Sequence, residues 1–211
     1  MASEDWYRNE RWGQEIEEDF FAKLKRSRSQ KTQYVKIQAG YLIENYPEIT
    51  LRLIKYAREN CPADSWEQEF YLYESKAFYR LAEYEKAISC AYLSVEWRIK
   101  KPNHQTEIPY WLAELVLLSG SGKDYQKSLE ILSKLHYPTP FPVTEFYFHG
   151  YTSLLYYRLG NIDAAKPEAI LALSWADKDE NLLQNKHKKN LGIFTKKQDW
   201  PYNEIVLIAN K

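Results

Sequence analysis

QEFYLYESKAFYRLAEYEKAISCAYLSVEWRIKKP, residues 68–102, is the stretch that decides how the whole chain is read. Tyr71, Ser75, Phe78 and Leu81 fall at i, i+4, i+7 and i+10, an apolar stripe with one small residue inside it, as an amphipathic helix requires. Ala87, Ala91 and Ser94 then stand at i, i+4 and i+7 beside Ile88 and Val95. Small residues at that spacing let two helices approach closely, with the flanking aromatics filling the groove between them. The segment Leu81–Ala87 is left as a tight turn, and the stretch reads as a helical hairpin.

Weaker copies of the pattern flank it on both sides. Upstream, Trp12, Ile16, Phe20 and Leu24 stand four apart, with Phe21 widening the stripe of a helix over about residues 10–28. Its early charges (Glu15, Glu17, Glu18, Asp19) are acidic and its late ones (Lys23, Lys25, Arg26, Arg28) basic, an order that suits the helix dipole. A second helix is predicted over residues 29–45 with Tyr34, Ile37, Tyr41 and Leu42 inward. Tyr46-Pro47 breaks it and starts a third, carrying Leu51, Leu53, Ile54 and Ala57. Asp64 or Ser65 caps the helix that opens the central hairpin.

Downstream, residues 106–118 are apolar nearly all round, so that helix is expected to be buried. Residues 125–135 form the next, and the three prolines in His136–Pro142 make a rigid extended connector. Two more helices follow, Val143–Leu159 and one reaching Ala176, joined by Gly160-Asn161-Ile162-Asp163, with Pro167 expected to loosen the first turn of the second. The small residues opening the second helix of each pair, Thr50, Ala87, Ser128 and Ala165, are spaced by 37, 41 and 37 residues. That is a degenerate repeat with long loops or long helices. A polar helix is expected over residues 180–189. The apolar run Ile205-Val206-Leu207-Ile208 reads as a strand or extended arm, giving one repeat domain over 1–194 and an arm over 195–211.

Composition narrows the function. Twenty-nine basic residues balance 29 acidic ones, so no global field draws in nucleic acid or an acidic membrane. The clusters Lys23–Lys31 and Lys186–Lys197 do not reverse this, given the acidic run at Glu15–Asp19. No apolar run approaches the roughly 20 residues of a membrane span, and MASEDWYRNERWG has no leader character, so a soluble cytoplasmic protein with reduced Cys61 and Cys90 is expected.

No chemistry is legible in the motifs. Ser119-Gly120-Ser121-Gly122-Lys123 is not a phosphate loop, because Leu117 stands where its first glycine belongs and Asp124 follows the lysine. The four histidines are scattered, and Glu145 with His149 at i, i+4 reads as a hydrogen bond on a helix surface. No metal, cofactor or catalytic set is expected. What remains is a groove: stacked helix pairs present the first helix of each pair on a concave face, where extended peptides bind. Candidate lining residues are Gln30, Gln33, Gln38, Tyr73, Lys76, Glu114 and Tyr147.

The turn Leu81–Ala87 resembles that of the tetratricopeptide repeat (TPR), which usually has glycine where Ala82 sits and a period of about 34 residues. Over residues 5–194 the chain resembles small bacterial TPR-containing proteins. The likeness is carried by Trp6-Tyr7-Arg8, Trp12, Ile16-Glu17, Phe20-Phe21, Lys23-Leu24, Arg26–Gln30, Gln33-Tyr34, Ile37-Gln38-Ala39, Pro47-Glu48, Phe141-Pro142-Val143 and Leu191-Gly192-Ile193. It implies an all-α, right-handed TPR-like solenoid of four to five helix pairs and a bacterial cytoplasmic setting, and it implies no activity. The expected function is non-catalytic protein or peptide binding. The alternatives are a homodimer formed through the 205–208 arm or an aromatic face, and a small-molecule binder or enzyme with an aromatic-lined pocket.

Overall fold

A computed structural model describes residues 5–61, 66–102, 106–178 and 192–211. Among them every regular element is helical: α1 (Gln14–Arg26), α2 (Lys31–Leu42), α3 (Pro47–Asn60), α4 (Glu67–Arg80), α5 (Tyr84–Lys100), α6 (Ile108–Ser119), α7 (Tyr125–Leu135), α8 (Pro142–Arg158), α9 (Ile162–Ala176) and α10 (Tyr202–Ala209), with a 3-10 turn at Gly122–Asp124. They form two compact units, Met1–Ile108 and Pro109–Lys211. The Asp64 or Ser65 cap and the helix expected over 180–189 lie outside the described residues.

In the first unit the helices pack in sequence, α2 on α3, α3 on α4 and α4 on α5, and α4 also meets α2. Phe20, Leu24, Val35, Ala39, Leu42, Leu53, Ile54, Ala57 and Phe70 make its core. The lead before α1 is held down twice. Trp6 lies 5.5 Å from Phe20 and 5.0 Å from Tyr34, ring centre to ring centre. Asn9 exchanges three hydrogen bonds with Gln38: its N–H and side-chain amide donate to Gln38 Oε1 at 3.0 and 2.8 Å, and Gln38 Nε2 donates to its carbonyl at 2.8 Å. This corrects the expected face of α2. Val35, Gln38, Ala39 and Leu42 point inward, whereas Tyr41 is exposed and Tyr34 and Ile37 are only half-buried. Aromatic content misled there; the polar Gln38 is buried because its amide is satisfied. On α4, Ser75 is buried while Tyr71, Phe78 and Leu81 are half-buried, since a helix packed on two sides buries Phe70, Leu72 and Ala77 as well.

The hairpin α4/α5 is built as its small residues predict: Ala87, Ile88, Ala91, Ser94 and Val95 are all buried. Two of its contacts are hydrogen bonds through those small residues, Ser75 Oγ to the Ala87 carbonyl at 2.7 Å and Ser94 Oγ to the Gln68 carbonyl at 2.7 Å. The hairpin α8/α9 repeats the first of these bonds at the same offset, with Ala172 standing where Ser94 does. Ser153 Oγ donates to the Ala165 carbonyl at 2.8 Å. In both hairpins the serine stands seven residues before, and the alanine five after, a turn residue in the left-handed region: Ala82 at φ 58° and Gly160 at φ 81°. The same pair of bonds closes each helix, Ala82 N–H to Tyr79 O with Glu83 N–H to Phe78 O, and Gly160 N–H to Tyr157 O with Asn161 N–H to Tyr156 O. This double closure is the Schellman arrangement, which favours glycine because a Cβ is strained there. All four counted repeat positions, Thr50, Ala87, Ser128 and Ala165, are fully buried.

The second unit is organised by α8, buried along its length at Phe146, Gly150, Tyr151, Leu154 and Leu155. Its neighbours are α7, α9 and α10. Asn161 caps α9 by accepting the Ala164 N–H at 3.1 Å, and the helix runs through Pro167. The Ile205–Ile208 run corrects the expectation of a strand or extended arm. It is helical, and Ile205 and Ile208, at i, i+3 on one side of α10, are buried against the second unit's core together with Phe194. Gly150 makes room for this contact, since a Cβ on it would stand 2.6 Å from Ile205 Cδ1.

Candidate functional site

The seven groove residues are placed unevenly. Gln30 precedes α2 in the left-handed region at φ 66°, exposed, and accepts the Tyr34 hydroxyl at 3.2 Å. Gln33 is half-buried on α2. Gln38 is buried and committed to Asn9, so it does not line an open face. Tyr73 and Lys76 share one edge of α4. The Tyr73 ring lies against Gly40 of α2, where a Cβ would come within 3.2 Å of it, and Lys76 Nζ donates to Glu107 at 2.9 Å. Burial, and then the charges of Glu107 and Glu69, push the Tyr73 phenol up to about 12. Tyr73, Lys76 and Glu107 thus form one polar edge of the first unit.

Glu114 and Tyr147 belong to the second unit and come together there. Tyr151 donates its hydroxyl to Glu114 Oε2 at 2.9 Å, and the Tyr147 ring lies 5.4 Å from that of Tyr151. Burial first, and the Glu114 carboxylate second, raise both phenols above their ordinary value. The chain's own C-terminal segment covers this cluster. Trp200 stacks on Tyr151 at 5.9 Å, and Phe194 stands edge-on to Tyr147 at 5.9 Å.

One further constellation in the second unit was not foreseen. Glu145 and His149 do not bond each other, as their i, i+4 spacing suggests; each takes a partner from elsewhere in the fold. His149 Nδ1 lies 2.7 Å from Glu168 on α9. Glu145, nearly buried, accepts the Thr139 N–H at 2.7 Å on one oxygen and meets His136 Nε2 at 3.3 Å on the other. His136 is stacked flat on Phe148, 3.6 Å between ring centres at 10°, and its Nδ1 lies 2.9 Å from the Tyr110 hydroxyl. Burial pulls the imidazole below its ordinary range despite the carboxylate beside it. The proline-rich connector swings His136 over α8, and nothing in helical periodicity reports such a placement.

Among the described residues no group of three or more His, Cys, Asp or Glu is arranged to hold a metal ion, and no helix is long and apolar enough to cross a membrane. The Ser119–Lys123 segment is a helix-to-helix turn, with Gly120 at φ 68° and the 3-10 turn after it. No family model, curated protein or solved structure matches the chain.

Proposed function

We propose that this chain is a TPR-like assembly of helical hairpins that binds a protein or peptide. The observation that carries the reading is the α4/α5 and α8/α9 correspondence, with the same serine-to-carbonyl bond and the same left-handed turn at the same offsets. Hairpins of that kind exist to stack, and a stack offers its partner a rigid run of exposed helix faces. Gln33, Tyr73 and Lys76, with Glu107 beside them, are the surface we assign to the partner, because Gln38 is buried and Glu114 and Tyr147 are engaged with Tyr151 and the C-terminal segment. The Gln33→Ala/Lys76→Ala double variant tests this. Helix content by circular dichroism stays at the wild-type value, and capture of the partner cross-linked to wild-type protein is lost. Unaltered capture would sink the assignment.

A second reading, self-association, is favoured by one side chain. Leu207, on the outer side of α10, is 65% exposed, more than any other large apolar residue among those described. Deleting residues 195–211 is not a clean test, since Ile205 and Ile208 are core residues. Leu207→Glu is: a dimer seen by light scattering that dissociates in this variant supports self-association, and a monomer throughout rejects it.

A further inference from the structure

We propose that Tyr110 is a base-activated nucleophile, a site at which this protein takes up a small acyl group from an activated acyl donor. This goes beyond the binding reading and stands or falls separately from it. The geometry is a relay of three side chains from three parts of the second unit: the Tyr110 hydroxyl on α6, His136 in the connector and Glu145 on α8. The carboxylate fixes the tautomer. With Glu145 Oε2 at 3.3 Å from Nε2, the ring proton belongs on Nε2, which leaves Nδ1 as an acceptor facing the Tyr110 hydroxyl at 2.9 Å. The ring cannot swing away. It is clamped flat on Phe148, while Glu145 is itself anchored by the Thr139 N–H at 2.7 Å. An acid that orients a neutral imidazole, which in turn accepts from a hydroxyl, is the arrangement that activates nucleophiles generally. The hydroxyl belongs to a half-buried residue near the start of α6, while the base behind it is almost wholly enclosed.

The step balances without an outside reductant or oxidant. The Tyr110 oxygen attacks the acyl carbon, forming the C–O bond, and its proton passes to His136 Nδ1. The bond from the acyl carbon to the leaving group breaks with its electron pair. The leaving group then takes the proton from Nδ1, restoring the neutral imidazole. Glu145 stabilises the imidazolium formed in between. Glu145 is a positioning residue.

Acetylation by N-acetylimidazole, mapped by peptide mass spectrometry on the full chain, tests the proposal, with the half-buried Tyr125 and the exposed Tyr137 of the same unit as internal references. Tyr110 is expected to react at least about tenfold faster than either, the lower end of what a positioned base contributes being about a hundredfold. Its rate should be flat with pH where His136 is neutral, whereas reaction at a phenol with no positioned base keeps rising with pH. The groups facing His136 are Tyr110, Glu145 and, at longer range, His149, which is itself held by Glu168, so the plateau belongs to this set. In His136→Gln the Tyr110 rate drops to that of the references, and the plateau disappears. Two results would overturn the proposal: Tyr110 reacting no faster than Tyr125 in the wild-type protein, which requires no variant to fold, or an unchanged rate in His136→Gln with native helix content.

Discussion

Replacing Ala82 with glycine should make this protein more stable, against the usual rule that glycine weakens helical proteins. Ala82 sits at φ 58°, and its two closing bonds, Ala82 N–H to Tyr79 O at 3.0 Å and Glu83 N–H to Phe78 O at 2.9 Å, hold it there. A residue with a Cβ costs roughly 1–2 kcal/mol in the left-handed region. Glycine avoids this but gives back roughly 0.5–1 kcal/mol through its greater freedom in the unfolded chain. The net gain is about 0.5–1 kcal/mol. Gly160→Ala is the mirror experiment. At φ 81° nothing lies within 4 Å of the added Cβ, so the loss is purely a backbone effect of the same size and opposite sign.

Urea denaturation followed by circular dichroism reads both changes as shifts of midpoint at constant slope, and thermal melting should move by about 2–4 °C per kcal/mol. The two turns lie in different units, so the double variant should return close to wild type by addition. A stability loss of about 0.5–1 kcal/mol in Ala82→Gly, as at an ordinary helical site, would refute the left-handed turn and with it the correspondence of the two hairpins.

Ser75→Ala should cost about 1 kcal/mol, because its bond to the Ala87 carbonyl is buried, whereas Ser128→Ala should be neutral or stabilising, because Ser128 Oγ is buried with no hydrogen-bond partner among the described residues. Paired denaturation curves give the contrast. Gly150→Ala should destabilise by roughly 1–3 kcal/mol by driving a methyl into Ile205 Cδ1, and Ile205→Val, which removes that atom, should rescue part of the loss in a double-mutant cycle; strict additivity would mean the two do not touch. For pH, burial holds His136 below its ordinary 6.5, so the unfolded chain protonates first and the second unit loses stability as pH falls from about 6.5 toward the folded value. His136→Gln should flatten that part of the stability profile, and an unchanged profile would contradict the burial of the ring.

The all-helical class and its helical hairpins were legible because they rest on short-range regularities. The small-residue spacing Ala87, Ala91, Ser94 located a close helix contact, and the turn Leu81–Ala87 lies between two helical periodicities. What failed depended on partners far along the chain. Gln38 looks like a solvated amide until Asn9, 29 residues earlier, is brought to it. His136 looks like part of an inert connector until Glu145 and Tyr110 meet it from either side. The run Ile205–Ile208 is too short for periodicity to separate strand from helix, and its β-branched residues argue for the wrong one. The deciding fact is tertiary, since Ile205 finds the space that Gly150 leaves on α8.

That last contact also bears on where a partner can bind. By packing on both α8 and α9, helix α10 stands toward that hairpin as α4 stands toward α2 and α3 in the first unit. A single helix placed there covers the apolar side of the α8/α9 hairpin. The segment leading into it lays Phe194 and Trp200 over Tyr147 and Tyr151, so those aromatics are covered from within the unit. A peptide could reach them only by displacing side chains as deeply buried as Phe194, Ile205 and Ile208. At roughly 1.5–3 kcal/mol for each large apolar side chain returned to water, that displacement exceeds what a short peptide's contacts would return. Binding is therefore best sought on the first unit, at Gln33 of α2 and the Tyr73–Lys76 edge of α4, which no described segment of that unit covers in this way, and chemistry at the separate relay that ends on Tyr110.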